Sequence, residues 1–151
     1  MNKAERIALA EDLFSQGFAC SQSVFATFAD IYGIDRDIAL KVSAGLGGGV
    51  GRMREVCGVV TGASMVLGLE YGTSDGNDKK AKAETYAKVR EFSERFKEIE
   101  STIICRELLG LFKEEKSHIP QDRTKEYYKK RPCMRLVKNS TAILCDMLNI
   151  E

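Results

Sequence analysis

Apolar residues recur at spacings of three and four along most of the chain, the period of helices with one buried face. Asn2 followed by Glu5 reads as a capping box, and Ile7, Ala10 and Phe14 form an apolar stripe that stops at Gly17. A second helix is expected from about Ser21 to Tyr32, with Val24, Phe28 and Ile31 inward and Gly33 as its stop. Asp35 is placed to cap a short third helix whose Ile38 and Val42 face inward. After the turn Asp75-Gly76-Asn77-Asp78, a long amphipathic helix carries Tyr86, Val89, Phe92, Phe96 and Ile99 on one face. Ser101 is placed to cap a helix bearing Cys105, Leu108 and Leu109 that closes at Gly110. Residues 113–131 are charged and polar around Pro120, which predicts a surface excursion with one helical turn near Lys125–Lys129. Pro132 opens a last helix to about Leu148 that buries Val137, Ser140, Leu144 and Leu148.

Two segments break this rhythm. Residues 45–51 hold five glycines in seven positions, which no helix or strand tolerates, so they form a loop. Residues 56–69 carry no charge, and Val59, Val60, Ala63, Val66 and Leu67 alternate with Gly58, Gly62 and Gly68. A helix apolar all round belongs in the middle of a fold. Gly58 and Gly62 share a face, and their absent side chains admit the backbone of a neighbouring helix. The pattern predicts a single compact all-α domain over residues 1–151, with about six to seven helices around this central one.

Charge and cysteine content narrow the chemistry. Twenty-three basic and 22 acidic residues leave a net charge of +1, so no basic face for nucleic acid is expected. No twenty-residue apolar run is present, hence no membrane span is expected. The mixed-charge N-terminus is unlike a secretory signal, which implies a cytoplasmic location where thiols stay reduced. The five cysteines contain no Cys-x-x-Cys pair, an argument against zinc ribbons, thioredoxin-type dithiols and attached haem. His118, the one histidine, reads as a solvated loop residue.

Position along the expected helices singles out particular thiols. Cys20, Cys57 and Cys133 fall at or near helix starts, where the positive end of the helix dipole favours thiolate. Arg52 and Arg54 precede Cys57, Arg106 follows Cys105, and Arg131 precedes Cys133. Cys57 is therefore expected to be the most acidic thiol. Cys145 reads as a packing residue.

The stretch Gly47-Gly48-Gly49-Val50-Gly51-Arg52 followed by Glu55-Val56-Cys57-Gly58-Val59-Val60-Thr61-Gly62-Ala63 resembles the C_GCAxxG_C_C family of redox-active proteins. Cys20 in Ala19-Cys20-Ser21-Gln22, Cys105 in Ile104-Cys105-Arg106-Glu107 and Cys133 before the last helix complete the same frame. Val59 stands where the motif has alanine, and Cys145 is additional. The resemblance implies a thiol redox role, since some members look to carry selenocysteine at a motif cysteine. It also implies a redox or transporter-associated partner, and a fold similar to helical split-Soret cytochromes. The resulting expectation is a thiol oxidoreductase in which the Cys57 thiolate is reversibly oxidised, assisted by one of Cys20, Cys105 or Cys133. Gly47, Gly48, Gly49, Gly51, Arg52 and Arg54 would shape and stabilise the thiolate site, and Gly58 and Gly62 would complete the motif. Two alternatives stand beside it. Cys20, Cys57, Cys105 and Cys133 could hold zinc or an iron–sulfur centre, or the chain could be a non-catalytic helical adaptor docking through its loop or its excursion. The loop matches neither the dinucleotide fingerprint nor the P-loop.

Overall fold

A computed structural model describes residues 1–151. It contains eight α-helices: α1 (Lys3–Ser15), α2 (Cys20–Thr27), α3 (Arg36–Ser43), α4 (Gly58–Tyr71), α5 (Lys79–Glu100), α6 (Cys105–Leu108), α7 (Lys125–Lys130) and α8 (Cys133–Met147). Short 3-10 turns lie at Ala29–Tyr32 and Ala44–Leu46. The single β-type contact is an isolated antiparallel bridge between Val56 and Ile104. No helix is long and apolar enough to cross a membrane.

The helix α1 begins with the expected capping box, Asn2 Oδ1 accepting from Glu5 N–H while a Glu5 carboxylate oxygen accepts from Asn2 N–H. The helix expected over 21–32 is divided: α2 ends at Thr27, Phe28 leaves helical geometry at φ −108°, and the 3-10 turn runs to Gly33 at φ +65°. Arg6 of α1 ties this corner, donating to the Thr27 carbonyl and to Asp30.

The helix α4 packs against α2, α5 and α8, and its Val59, Ala63, Val66 and Leu67 are wholly buried. It is not enclosed all round, since Thr61, Ser64, Met65 and Gly68 are half-exposed and Leu69 is exposed. A Cβ on Gly58 would lie 2.9 Å from Ser21 N, and one on Gly62 would lie 2.8 Å from Ser21 O. These two glycines therefore let the first turn of α2 rest directly on the α4 backbone. From the other side, Ser140 Oγ of α8 donates to the Val59 carbonyl at 2.9 Å.

Several inward-facing expectations are corrected by the packing. On α3, Ile38 and Val42 are 60% and 58% exposed, while Ala39 and Ser43 are buried. Here α2 approaches through polar side chains, Ser21 donating to the Ser43 carbonyl and Gln22 to the Leu40 carbonyl, so small residues face inward. On α5, only Phe92 and Phe96 are fully buried, their rings stacked 6.2 Å apart; Tyr86 and Ile99 are exposed. Ser101 terminates α5 at φ +74° rather than capping the next helix, and Thr102 Oγ1 accepts from Ile104 N–H just ahead of α6.

Candidate functional site

Four cysteines occupy helix starts. Cys20, Cys105 and Cys133 are the first residues of α2, α6 and α8, and Cys57 is the N-cap of α4. All four line one cavity of about 70 Å³ together with Gly48, Gly49, Arg54, Arg123 and Tyr127, closed at its apolar wall by Phe14, Leu108 and Leu136. Cys145 lies elsewhere, fully buried in the core.

Backbone pairing explains this meeting. Cys57 N–H donates to the Ile103 carbonyl at 2.8 Å, and Cys105 N–H donates to the Glu55 carbonyl at 2.6 Å. The segments 54–57 and 103–106 thus run together and bring two cysteines into one corner. Gly58 brings in the third, because a Cβ there would lie 3.2 Å from Cys20 Cβ. The start of α8 supplies Cys133.

The glycine-rich loop forms the remaining wall. Five consecutive residues, Gly48 to Arg52, have φ between +54° and +67°, one turn of left-handed backbone. Val50 and Arg52 adopt it without being glycine, at a cost of about 1–2 kcal/mol each. The turn is closed by Arg54 N–H to the Gly48 carbonyl and Glu55 N–H to the Gly49 carbonyl. Glycine is required where the loop crosses the thiols: a Cβ on Gly49 would sit 2.7 Å from Cys105 Cβ.

The loop's two arginines divide their work. Arg52 pairs with Glu115 at 3.0 Å and donates to the carbonyls of Ser117 and Ile119, so it holds the 113–119 segment and does not reach Cys57. Arg54 is buried, donates from Nη1 to Cys105 Sγ at 3.7 Å, and leaves its Nε without a partner.

Electrostatics separate the thiols, and the order differs from the expectation. Cys133 is lowered to about 7, first by hydrogen bonding from Cys20 and then by the charges of Arg131, Arg123 and Arg54, against the opposing effect of burial. Cys20 is correspondingly raised, as donor to Cys133 and by burial. Cys57 is pushed up to about 12 by burial; the Val59 and Val60 N–H groups oppose this without overcoming it. Burial also raises Cys105 despite Arg54. The most acidic thiol is thus Cys133, not Cys57. Cys57 is 3% exposed, and desolvation outweighs the field of the helix end.

Two contributors carry no periodic signal in the sequence. Arg123 stacks over Phe14 at 4.4 Å and Tyr127 at 4.9 Å, and donates to the carbonyls of Phe14 and Phe18. Tyr127 also receives the Arg131 guanidinium at 5.6 Å. The polar excursion is therefore fastened to the end of α1 and roofs the cavity. An arginine followed by two tyrosines shortly before Pro132-Cys133 was the available signal. His118 borders the outer side of this roof. Arg106 pairs with Glu55 on the surface, outside the cavity. No group of three or more His, Cys, Asp or Glu side chains is arranged to hold a metal ion.

No curated protein and no solved structure matches the chain. A family model does: "Putative redox-active protein (C_GCAxxG_C_C)" matches residues 18–147, a span that includes all four cavity cysteines and the glycine-rich loop. The chain belongs to the C_GCAxxG_C_C family of redox-active proteins.

Proposed function

We propose that this protein is a thiol redox protein in which Cys133 is the attacking thiolate and Cys20 the thiol that resolves the product. The observation that carries this reading is that Cys20 and Cys133, the first residues of α2 and α8, line one cavity with Arg54 and Arg123; their interaction and the nearby arginines hold Cys133 down to about 7, while Cys20 is pushed up. A thiolate with a pKa near ambient pH combines a high charged fraction with good nucleophilicity. With peroxide as oxidant, the Cys133 thiolate attacks one oxygen and breaks the O–O bond, giving a sulfenic acid and hydroxide. The Cys20 sulfur then displaces that hydroxyl and the Cys20 proton leaves with it as water, so both sulfurs end in one disulfide. Cys57 and Cys105, whose thiols burial pushes up, remain neutral at neutral pH. A zinc or iron–sulfur centre held by Cys20, Cys57, Cys105 and Cys133, which line one cavity, is the second reading, and metal analysis of the purified protein separates the two.

The test is stoichiometric peroxide oxidation of reduced, metal-free protein, followed by peptide mapping of the disulfide. A Cys20–Cys133 bridge is expected, with none formed in Cys133→Ser. A bridge confined to Cys57 and Cys105, or no bridge, contradicts the proposal.

A further inference from the structure

Beside the thiol cavity lies a second, larger one of about 480 Å³, bordered by the left-handed loop, the end of α1 and the 118–123 segment. The two share Ala19, Gly48, Arg54, Arg123 and Tyr127 along their common wall. The lining of the outer cavity carries the guanidiniums of Arg52, Arg54 and Arg123 and no carboxylate. Glu115 lies outside the lining and pairs with Arg52 at 3.0 Å and Arg54 at 3.8 Å, which leaves Arg123 without a carboxylate partner. Arg54, nine-tenths buried and common to both cavities, leaves its Nε without a partner. A buried guanidinium N–H without an acceptor costs free energy that an incoming anion recovers.

We infer that this outer cavity is the binding site for a small carboxylate-bearing disulfide, or its thiol, that exchanges with the Cys133–Cys20 pair. The inference rests on the thiol reading above and names its substrate class. Size decides against a simple oxyanion: pockets of about 300–1,000 Å³ suit ligands of small-peptide dimensions. The shared wall lets such a ligand anchor its carboxylates on the arginines while its sulfur enters the thiol cavity. In the exchange, the Cys133 thiolate attacks one sulfur of RSSR, forming a mixed disulfide and expelling RS⁻. The Cys20 thiol passes its proton to that RS⁻, and its sulfur displaces the second RS⁻ from Cys133. The products are one protein disulfide, one RSH and one RS⁻; the protein dithiol is oxidised by two electrons and RSSR is reduced. The reverse sequence reduces the protein.

The experiment compares oxidation of the reduced full chain by glutathione disulfide and by its fully esterified form, which keeps the disulfide and loses the carboxylate charges. Glutathione disulfide is expected to react about tenfold faster at low ionic strength, with that advantage lost in about 1 M salt. Arg52→Gln, which touches no cysteine, is expected to remove most of the advantage of glutathione disulfide over its ester. The salt dependence of the unsubstituted protein keeps the test decisive if Arg52→Gln loosens the 113–119 segment. Equal rates for the two disulfides at every salt concentration overturn this inference and leave the thiol reading standing. Failure of both disulfides to oxidise the Cys20–Cys133 pair overturns both.

Discussion

Gly62 of α4 and Ser21 of α2 meet backbone to backbone, so closely that a Cβ on Gly62 would lie 2.8 Å from the Ser21 carbonyl oxygen. Ser21 follows Cys20, and Gly58, one turn before Gly62, follows Cys57, so this contact sets the spacing of two thiols. Gly62→Ala gains about 1 kcal/mol of helix propensity. It also forces two backbones apart, and overpacking costs typically about 1–3 kcal/mol. A net loss of stability is therefore expected in thermal or urea unfolding, and Gly62→Leu should lose more. A Gly62→Leu protein that unfolds like the parent would remove α4 from the centre of the fold.

Arg123 joins the polar excursion to the end of α1 and adds positive charge near Cys133. Arg123→Met should make residues 113–131 more sensitive to limited proteolysis. It should also move the Cys133 pKa upward from about 7 toward the ordinary thiol value. Ultraviolet absorbance of the thiolate followed against pH reads the second effect independently of the first.

Stability should fall on the alkaline side. Cys20, Cys57, Cys105 and Cys145 all have folded-state pKa values above the ordinary value, with Cys57 at about 12. Above about pH 8.5 these thiols ionise in the unfolded chain and stay protonated in the fold. The unfolded state then binds fewer protons, so stability decreases as pH rises. Cys133 acts oppositely: its contribution is fully present above about pH 8.5 and is lost as pH falls through about 7. Four groups outweigh one. Denaturant midpoints measured upward from about pH 8.5, where the Cys133 contribution is constant, should decline, and Cys57→Ala should flatten the slope. A midpoint that rises with pH contradicts the burial of these thiols.

Cys145 separates packing from chemistry. It is fully buried and outside the thiol cavity. Cys145→Ser places a hydroxyl in the core and should cost about 1–3 kcal/mol, whereas the rate of Cys20–Cys133 disulfide formation should be unchanged. A slowed oxidation in this variant would bring Cys145 into the redox path.

Much of the frame was legible because helical periodicity and helix caps are local. The Asn2–Glu5 box, the turn at 125–129 and the Pro132 start all reflect neighbours within a few residues, and the shared face of Gly58 and Gly62 follows from their helical spacing. Misreadings occurred where burial depends on what packs opposite. Ile38 and Val42 satisfy an amphipathic pattern, yet α2 approaches the face of Ala39 and Ser43 because close approach needs small side chains. The same limit governs Cys57. Its helix start and nearby arginines are readable, but its enclosure, and the turning of Arg52 toward Glu115, follow from tertiary contacts. Arg123 and Tyr127 went unread because residues 113–131 have no hydrophobic period to mark an inward face.

The most direct test of the Cys133–Cys20 account is the pH dependence of iodoacetamide labelling for each cysteine, quantified by peptide mass spectrometry on reduced, metal-free protein. Cys133 should label first, with a rate that rises through an inflection near pH 7. Cys57 should stay nearly inert throughout the neutral range, as its value of about 12 requires. Cys20→Ala, which removes the thiol donor to the Cys133 sulfur, should slow Cys133 labelling at neutral pH. Labelling of Cys57 ahead of Cys133, or equal slow labelling of all five cysteines, would contradict the account.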